Sequence, residues 1–174
     1  MNSSQFNKIL VVKHGSLGDI AFSILAMASI KQFFSNATID LLTEEKYANF
    51  LSNSNYFNSI FKDNRKGIID SLKVILKINQ NKYDLIIDLQ NSKRTNNYWS
   101  FLKFISEVKV NGSRSNCDIQ YVIPPQGTES PQQGLYNQLK LLGVNEINQN
   151  VDWLSRDITA INEDKIILMI PGVS

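Results

Sequence analysis

KILVVKHGSLGD, residues 8–19, is the stretch that decides the fold. Residues 9–13, which end on the aliphatic stem of Lys13, have the continuous apolar pattern of a buried strand. This strand runs directly into a loop with two glycines, and a long apolar periodic segment, residues 20–34, follows the loop. A strand, a glycine loop and a helix in this order are the way in which open α/β sheets present a ligand site. We therefore expect Asp19 to lie beside a ligand.

Strands and helices alternate along the remainder of the chain. Apolar runs predict further strands at residues 37–43, 59–62, 83–90 and 107–112, with a short one at 120–123. Helical spacing of apolar residues predicts helices at residues 20–34, 44–51, 66–78, 95–105 and 132–144. Such alternation indicates a parallel sheet, and right-handed crossovers place the ends of its strands along one edge. The predicted fold class is α/β, with a mostly parallel sheet and helices on both faces.

The composition is that of an ordinary globular protein. Of the 174 residues, 43% are hydrophobic and 20% are charged, and the net charge is +2. This charge is too small to indicate a nucleic-acid partner, and no apolar run reaches the roughly 18 residues of a transmembrane helix. The polar N-terminus, MNSSQFN, lacks the pattern of a secretory signal, so we expect a cytoplasmic protein. The single cysteine, Cys117, has no partner for an internal disulfide and no neighbours at metal-ligand spacing.

The end of the chain repeats the pattern of its beginning. KIILMIPGVS, residues 165–174, predicts another buried strand that runs into a glycine turn. The polar segment before it, residues 145–163, is the best candidate for a linker. We therefore expect an N-terminal domain at residues 1–150, a linker at 151–163, and the first strand of a truncated second domain at 164–174.

The glycine loop after the first strand, residues 15–18, has two interpretations. It lacks the GK[ST] ending of a P-loop and the third glycine of the dinucleotide fingerprint, so it matches neither nucleotide motif. Two glycines let the backbone approach a ligand closely, and a helix start can hold an anion. A tight turn also needs glycine for its shape, and the spacing leaves both interpretations open.

Asp19 and His14 each have a structural and a functional interpretation. An aspartate at a helix start accepts a backbone hydrogen bond and complements the helix dipole, so Asp19 can be the cap of the first helix. It can also be a general base that takes a proton from a sugar hydroxyl, with a pKa that the helix dipole lowers. His14 is the single histidine, and it can bind a phosphate or face solvent; we expect it to face solvent.

Polar residues also end the predicted strand at residues 83–90. Asp88 and Gln90 close this strand, and Lys93 and Arg94 follow it. These side chains can hydrogen-bond a polyhydroxylated or phosphorylated acceptor, or they can form a solvated helix start. The next helix carries four aromatic residues that can contact lipid, although helical spacing places most of them on a core face: Tyr98, Trp99, Phe101 and Phe104.

Several segments together resemble a known family. Residues 13–19, KHGSLGD, resemble the basic-x-Gly-x-Leu-Gly-Asp opening of family 9 glycosyltransferases, the bacterial heptosyltransferases that build the inner core of lipopolysaccharide. AMASIKQFFSNATIDLLT, residues 26–43, is similar to the first helix and second strand of that family. YDLIIDLQNSKRT, residues 83–95, is similar to its Tyr-Asp-x-x-Ile-Asp-Leu-Gln segment, and IPGVS, residues 170–174, to the opening of its second domain. The resemblance spans nearly the whole chain in the right order.

The resemblance implies a fold and a reaction. The fold is the Rossmann-like, acceptor-binding N-terminal domain of a GT-B glycosyltransferase. The reaction is an inverting, metal-independent transfer without a cofactor, in which Asp19 deprotonates a hydroxyl of a lipid A–Kdo or core-oligosaccharide acceptor. That hydroxyl attacks the anomeric carbon of ADP-heptose. The protein is then expected in the cytoplasm, in possible peripheral contact with the inner membrane, and this chain alone is expected to be inactive.

The resemblance also implies which residues form the site. The acceptor side comprises Lys13, His14, Gly15, Ser16, Gly18, Gln90, Asn91 and Arg94. Gly172 and Ser174 match the beginning of the donor-phosphate site. The chain differs from the family pattern at three positions, because Phe22 and Leu25 replace a histidine or aliphatic residue and a proline, and Asn91 replaces a glycine.

Two other function classes compete with this one. The chain can be a standalone sugar- or nucleotide-binding module in which Asp19 is only a helix cap. It can also be a nucleotide-dependent Rossmann enzyme, but the loop lacks the dinucleotide fingerprint and the acidic residue that accompanies it.

Overall fold

The computed structural model describes residues 3–155, which form one six-stranded parallel sheet. The strands lie side by side in the order β3-β2-β1-β4-β5-β6, and every neighbouring pair is parallel. Their bounds are β1 Lys8–Val12, β2 Thr38–Thr43, β3 Ser59–Lys62, β4 Leu85–Asp88, β5 Lys109–Gly112 and β6 Ile119–Gln120. The predicted α/β class with a parallel sheet is confirmed.

Four α-helices connect strands, a fifth follows β6, and together these described helices cover both faces of the sheet. Their bounds are α1 Leu17–Phe33, α2 Glu45–Ser52, α3 Gly67–Asn81, α4 Lys93–Leu102 and α5 Pro131–Lys140. Side chains of α1, α2 and α5 pack in one hydrophobic cluster, and those of α3 and α4 pack in a second. Within residues 3–155, no helix is long and apolar enough to cross a membrane.

The position of β1 inside the sheet explains why its sequence is continuously apolar. Ile9 and Val11 belong to the cluster on one face of the sheet, and Leu10 and Val12 belong to the cluster on the other. All four side chains are fully buried. A strand covered by helices on both faces has no polar side, so the alternation typical of a half-exposed strand is absent.

The aromatic residues of α4 divide between core and surface. Tyr98 and Trp99 are buried in the second cluster, as helical spacing predicts, but Phe101 and Phe104 are exposed. The helix ends at Leu102, so Phe104 lies outside it and helical spacing does not place this side chain on the core face. The prediction that most of these aromatic residues face the core is therefore correct for two of the four.

Element bounds differ from the predicted ones at helix ends and at helix starts: α3 ends at Asn81 instead of Ile78, and α5 ends at Lys140 instead of Val144. The first helix begins at Leu17 instead of Ile20, and α4 begins at Lys93 instead of Thr95. Both helices start after a serine that accepts the backbone N–H three residues later, and this capping turn adds residues before the first apolar position. The short strand β6 is Ile119–Gln120, ahead of the predicted 120–123.

The segment after residue 145 packs onto the first cluster. Trp153 lies against Phe50 and Tyr56, with ring centroids 5.1 and 6.1 Å apart, and its indole N–H donates to the Tyr56 hydroxyl at 2.9 Å. The remainder of the proposed linker and the proposed strand at 164–174, with Gly172 and Ser174, lie outside the described residues. The division into domains stays a prediction.

Candidate active site

The carboxyl ends of β1 and β4 lie side by side at the centre of the sheet. The chain leaves β1 towards β2 on one side, and β4 continues towards β5 on the other, so the strand order reverses direction here. Such a switch point opens a crevice at the strand ends, where open α/β sheets bind their ligands. Two hydrogen bonds join the loops: His14 N–H to Gln90 Oε1 at 3.0 Å, and Lys13 Nζ to the Leu89 carbonyl at 3.2 Å.

Asp19 lies at the start of α1 and is exposed on this edge. Ser16, not Asp19, is the N-cap, so the expectation that Asp19 caps the helix is wrong in position. Asp19 is instead the third helical residue and closes a capping box: its Oδ2 accepts the Ser16 N–H at 2.9 Å and the Ser16 hydroxyl at 3.0 Å. The second oxygen, Oδ1, makes no hydrogen bond within the described part of the chain and is open to a ligand.

The glycine at position 15 is required by this arrangement. Gly15 has φ of +114°, and a Cβ built on it would lie 2.6 Å from Asp19 Oδ2. Any side chain would therefore both strain the backbone and push Asp19 out of the capping box. The shape interpretation of the loop is correct for Gly15.

The second glycine, Gly18, is not required by the backbone. It lies inside the first turn of α1, and a Cβ there would contact only the Ser16 hydroxyl at 3.7 Å. Gly18 is exposed beside Asp19. A missing side chain at an exposed helix start leaves room for a ligand to approach the backbone, which is the binding interpretation of the loop.

Lys13 places a positive charge beneath the loop. Its side chain is buried, and burial lowers the pKa of the ammonium group while the charges of Asp19 and Asp88 raise it. The backbone hydrogen bond from Ser16 lowers the pKa of Asp19, and the Ser16 hydroxyl and the Lys13 charge lower it further. The Asp19 carboxylate is therefore ionised at neutral pH.

His14 is buried, so the expectation that it faces solvent is wrong. Its side chain is 2% exposed, and its Nε2 lies 3.4 Å from Asp63 Oδ2. Burial lowers the pKa of His14 to about 4, although the negative charge of Asp63 opposes this shift. The imidazole is therefore neutral at pH 7 and lies buried against Asp63 beneath the glycine loop. Its binding of an acceptor stays a prediction.

Glu44, at the end of β2, also fastens the glycine loop. Its Oε1 accepts the Gly15 N–H at 3.1 Å and the Arg65 guanidinium at 2.9 Å. Burial raises the pKa of Glu44, but these two hydrogen bonds outweigh it and hold the pKa below its ordinary value. In dinucleotide-binding domains an acidic residue some 20 positions on from the glycine loop binds the ribose. Here the carboxylate is occupied by the loop itself.

The chain is similar to known proteins in both sequence and fold. No protein-family model matches it. A stretch of 87 residues is 32% identical to lipopolysaccharide heptosyltransferase 1 of Campylobacter coli, and it covers 48% of this chain and 25% of that protein.

Solved structures share the fold over most of the chain. A family 9 glycosyltransferase from Veillonella parvula matches 84% of this chain and 43% of its own, with a TM-score of 0.69 and 19% identity. E. coli heptosyltransferase WaaC, solved with ADP-2-deoxy-2-fluoro heptose, matches 84% of this chain and 52% of its own, with a TM-score of 0.63 and 15% identity. E. coli heptosyltransferase II has a TM-score of 0.58 and 16% identity over 82% of this chain and 44% of its own. The fold is that of family 9 glycosyltransferases. The chain spans about half the length of these structures.

The loop after β4 in this family 9 fold is built on a buried aspartate. Asp88 is fully buried, and its carboxylate accepts the N–H groups of Gln90 and Asn91, both at 2.9 Å, and the Trp99 indole N–H at 2.7 Å. Burial raises the pKa of Asp88, and these hydrogen bonds counter the shift. Asp88 shapes the loop and does not face the crevice.

Asn91 stands where the family pattern has glycine, and the backbone conformation at this position suits both residue types. Its φ is +52°, in the left-handed region that glycine adopts freely and asparagine tolerates best among other residues. Its Oδ1 accepts the Ser113 N–H at 2.6 Å, and its Nδ2 donates to Gln138 Oε1 at 2.8 Å. The asparagine therefore ties the β4 loop to β5 and α5.

Arg94 is partly exposed, and neighbouring segments hold its guanidinium group. Its Nε donates to the Tyr98 hydroxyl, its Nη2 donates to Ser71 Oγ at 3.1 Å, and its Nη1 donates to the Arg65 carbonyl at 3.3 Å. Nη2 also lies 3.7 Å from the buried Asp63. Each guanidinium nitrogen has a partner, so the structure gives Arg94 a positioning role between α3 and α4. The binding of an acceptor by Arg94 stays a prediction.

Asp63 is a site residue that the sequence analysis missed. It is fully buried at the end of β3, and it accepts the Tyr98 hydroxyl at 3.0 Å and the Arg65 N–H at 2.9 Å. The available signal is its position directly after the predicted strand at 59–62, comparable to that of Asp88 near the end of the predicted strand at 83–90. Its contacts with His14 and Arg94 connect β3, the glycine loop and α4.

A cavity of about 390 Å³ opens beside Asn91, at the carboxyl ends of β5 and β6. Its walls come from the segment 121–131 and from α5, including Tyr121, Glu129 and Gln138. Glu129 is its one charged lining residue among those described, and its carboxylate accepts the Tyr121 hydroxyl at 2.7 and 2.8 Å and the Asn137 amide at 2.9 Å. The cavity is lined mainly by amides, hydroxyls and apolar surface, which suit a neutral polyol.

Proposed function

We propose that this chain is the acceptor-binding half of a heptosyltransferase that transfers heptose from ADP-heptose to a lipopolysaccharide core acceptor. The observation that carries the proposal is the state of Asp19. One carboxylate oxygen is fixed by Ser16, and the other is open at the switch point of the sheet. Lipopolysaccharide heptosyltransferase 1 of Campylobacter coli, 32% identical over 87 residues, supports the substrate class.

Asp19 is the general base of the proposed reaction. As the acceptor hydroxyl attacks the anomeric carbon, its proton passes to Asp19 Oδ1 and a new C–O bond forms. The bond between the anomeric carbon and the phosphate oxygen breaks, and its electron pair leaves with ADP. Attack opposite the leaving group inverts the anomeric centre. A carboxylate with a low pKa serves here because the hydroxyl becomes strongly acidic only as the C–O bond forms.

The remaining site residues hold the acceptor or shape the crevice. Gly15 and Ser16 fix Asp19, and Gly18 leaves space beside it. The hydrogen bonds from Ser16 lower the pKa of Asp19, and the Lys13 charge adds to this effect. Gln90 lies across the crevice, where its amide N–H₂ can donate to an acceptor hydroxyl while its Oε1 accepts from His14. The cavity beside Asn91, which amides, hydroxyls, apolar surface and the Glu129 carboxylate line, is the proposed place for an acceptor sugar ring.

The donor side belongs to the proposed second domain. WaaC has been solved with ADP and with ADP-2-deoxy-2-fluoro heptose, so that protein binds this nucleotide-sugar class. Gly172 and Ser174 are proposed to begin the corresponding phosphate site here, and the reaction is proposed to need neither a metal nor another cofactor. We place the protein in the cytoplasm, peripheral to the inner membrane.

A second candidate is a standalone sugar- or nucleotide-binding module. The capping box favours it, because this contact gives Asp19 a structural role without catalysis. Under this alternative, ligands bind at the crevice but no bond to the sugar is broken.

Release of ADP separates the two candidates. The experiment incubates ADP-heptose and a lipid A–Kdo acceptor with the full-length protein that contains this chain, and separately with the 174-residue chain alone. We expect ADP release by the full-length protein only when both substrates are present, and none by the isolated chain. Binding of the acceptor without ADP release by the full-length protein would favour the module.

A further inference from the structure

Helix α3 has an apolar face that the core does not use. Ile75 and Ile78 of this helix are buried against the sheet. Four other large apolar side chains point away from it and form what we call the α3 apolar face: Ile68, 79% exposed, Ile69, 70%, Leu72, 40%, and Leu76, 52%. At about 100° per residue these four positions fall within one arc of about 100° on the helix surface.

Basic residues lie at one margin and at the N-terminal end of this face. The segment 62–82 contains six basic and two acidic residues, a net charge of +4, whereas the whole chain has +2. Two of these basic side chains, Lys62 and Arg65, form ion pairs with Glu45 and Glu44, and the lysines nearest to the α3 apolar face form no such pair among the described residues. Asp63 is fully buried and Asp70 is half-buried, so neither is fully presented to solvent. Lys73 follows Ile69 by about 40° around the helix, and Lys66 precedes the first turn. An apolar stripe with a basic margin is the pattern of a helix that lies in a membrane interface.

The face adjoins the edge that carries Asp19. Helix α3 begins at the carboxyl side of the sheet, where Arg94 joins it to α4 through Ser71 Oγ and the Arg65 carbonyl. Arg94 also pairs with Asp63, which lies against His14 of the glycine loop. A surface to which the α3 apolar face binds therefore lies close to the crevice.

We propose that the α3 apolar face inserts into the surface of an anionic phospholipid bilayer, with Lys66 and Lys73 against the lipid headgroups. The apolar side chains supply burial in the acyl boundary, and the lysines supply attraction to the negative surface. A second copy of the chain fits this face less well, since a two-fold interface would bring the same basic margins together. The proposal deepens the proposed function, because it presents the crevice to sugars that project from a lipid anchor.

The test measures co-sedimentation of the 174-residue chain with vesicles. One vesicle preparation contains phosphatidylcholine alone, and the other contains equal parts of phosphatidylcholine and phosphatidylglycerol. We expect binding to the anionic vesicles that weakens as salt is added. The double variant Ile68→Ser and Ile69→Ser should bind at least about tenfold more weakly, and Lys66→Gln and Lys73→Gln should each cost about fivefold.

The matched control removes equally exposed apolar side chains elsewhere. Phe104 is 86% and Val122 is 76% exposed, and the double variant Phe104→Ser and Val122→Ser should keep wild-type vesicle binding. Thermal unfolding checks that both double variants remain folded. The proposal is overturned if the wild type does not bind anionic vesicles, if the two double variants lose binding equally, or if a concentration-dependent dimer disappears in the Ile68 and Ile69 variant. These vesicles contain no sugar acceptor, so the outcome is independent of whether Asp19 is a base.

Discussion

Asp19 and Gly15 depend on each other at the level of single residues. The carboxylate bonds back to Ser16, and the space that it occupies is the space of a Cβ at position 15, 2.6 Å from Oδ2. A side chain on residue 15 and an Asp19 in the capping box are therefore incompatible. The glycine turn therefore has a defined structural role: it leaves the space that the Asp19 carboxylate occupies.

The substitution Gly15→Ala tests this contact. Gly127 has a similar backbone, with φ of +87°, but no atom lies within 4 Å of its Cβ position, so Gly127→Ala is the matched control. We expect the control to lower the free energy of unfolding by about 1 kcal/mol, the cost of a positive φ, and Gly15→Ala to lower it by about 2–3 kcal/mol. Denaturant unfolding measures both values. Equal losses would show that the contact with Asp19 carries no energy.

Titration of His14 tests the buried interpretation of the loop. The chain has one histidine, so its imidazole signals in an NMR pH titration need no further assignment. We expect a midpoint at about 4, because burial lowers the pKa of His14, and a midpoint near the ordinary 6.5 would show that the ring faces solvent.

The same shift predicts how stability depends on pH. Since the pKa of His14 is lower in the folded than in the unfolded chain, only the unfolded chain takes up this proton as the pH falls below about 6.5. The contribution of His14 is therefore complete above pH 6.5 and is lost as the pH falls towards 4. The variant His14→Gln should show a flatter decrease in unfolding free energy over this window than the wild type.

At the scale of elements, serine N-caps set where helices begin. Within residues 3–155, α1, α4 and α5 start after Ser16, Ser92 and Ser130, and each serine side chain accepts the backbone N–H three residues later. Only the cap of α1 also holds a carboxylate at the crevice. The three caps therefore share one structural role and differ in their connection to the site.

Substitutions at two of these caps distinguish the structural role of a serine cap from its effect on Asp19. Ser16→Ala and Ser130→Ala should each lower the free energy of unfolding by about 1 kcal/mol, the usual cost of a lost cap. Only Ser16→Ala should raise the pKa of Asp19, because the Ser16 hydroxyl is one of the groups that lower it. A carboxyl-carbon NMR titration measures this pKa. An unchanged Asp19 pKa in Ser16→Ala would contradict the geometry of the capping box.

The sequence predicts elements better than it predicts contacts between them. The apolar run of β1 and the spacing of α1 follow from local pattern, so both elements were expected. The start of α1 was misplaced although Ser16 lies three residues before Asp19, the spacing of a capping box. The burial of His14 depends on Asp63 of another strand, and the link of Asn91 to Gln138 depends on α5. No local pattern reports these contacts.

At the scale of the whole molecule, the alternation of strands and helices predicts the parallel sheet and the edge where polar residues gather. The order of the strands needs tertiary packing, and it is this order that makes β1 and β4 neighbours and opens the crevice. The cavity beside Asn91 arises from the packing of segment 121–131 on α5. Apart from a short strand at 120–123, the sequence predicts no regular element in this segment, so the cavity could not be predicted.

The most direct test of the central claim measures ADP release from ADP-heptose by the full-length protein with and without the Asp19 carboxylate. Asp19→Asn keeps the size of the side chain but removes the base, and Asp152→Asn, at an exposed aspartate in another part of the described chain, is the control. We expect Asp19→Asn to lower kcat by at least about a hundredfold, with unfolding free energy within about 2 kcal/mol of the wild type, and Asp152→Asn to keep wild-type turnover. Normal turnover by Asp19→Asn would contradict the account.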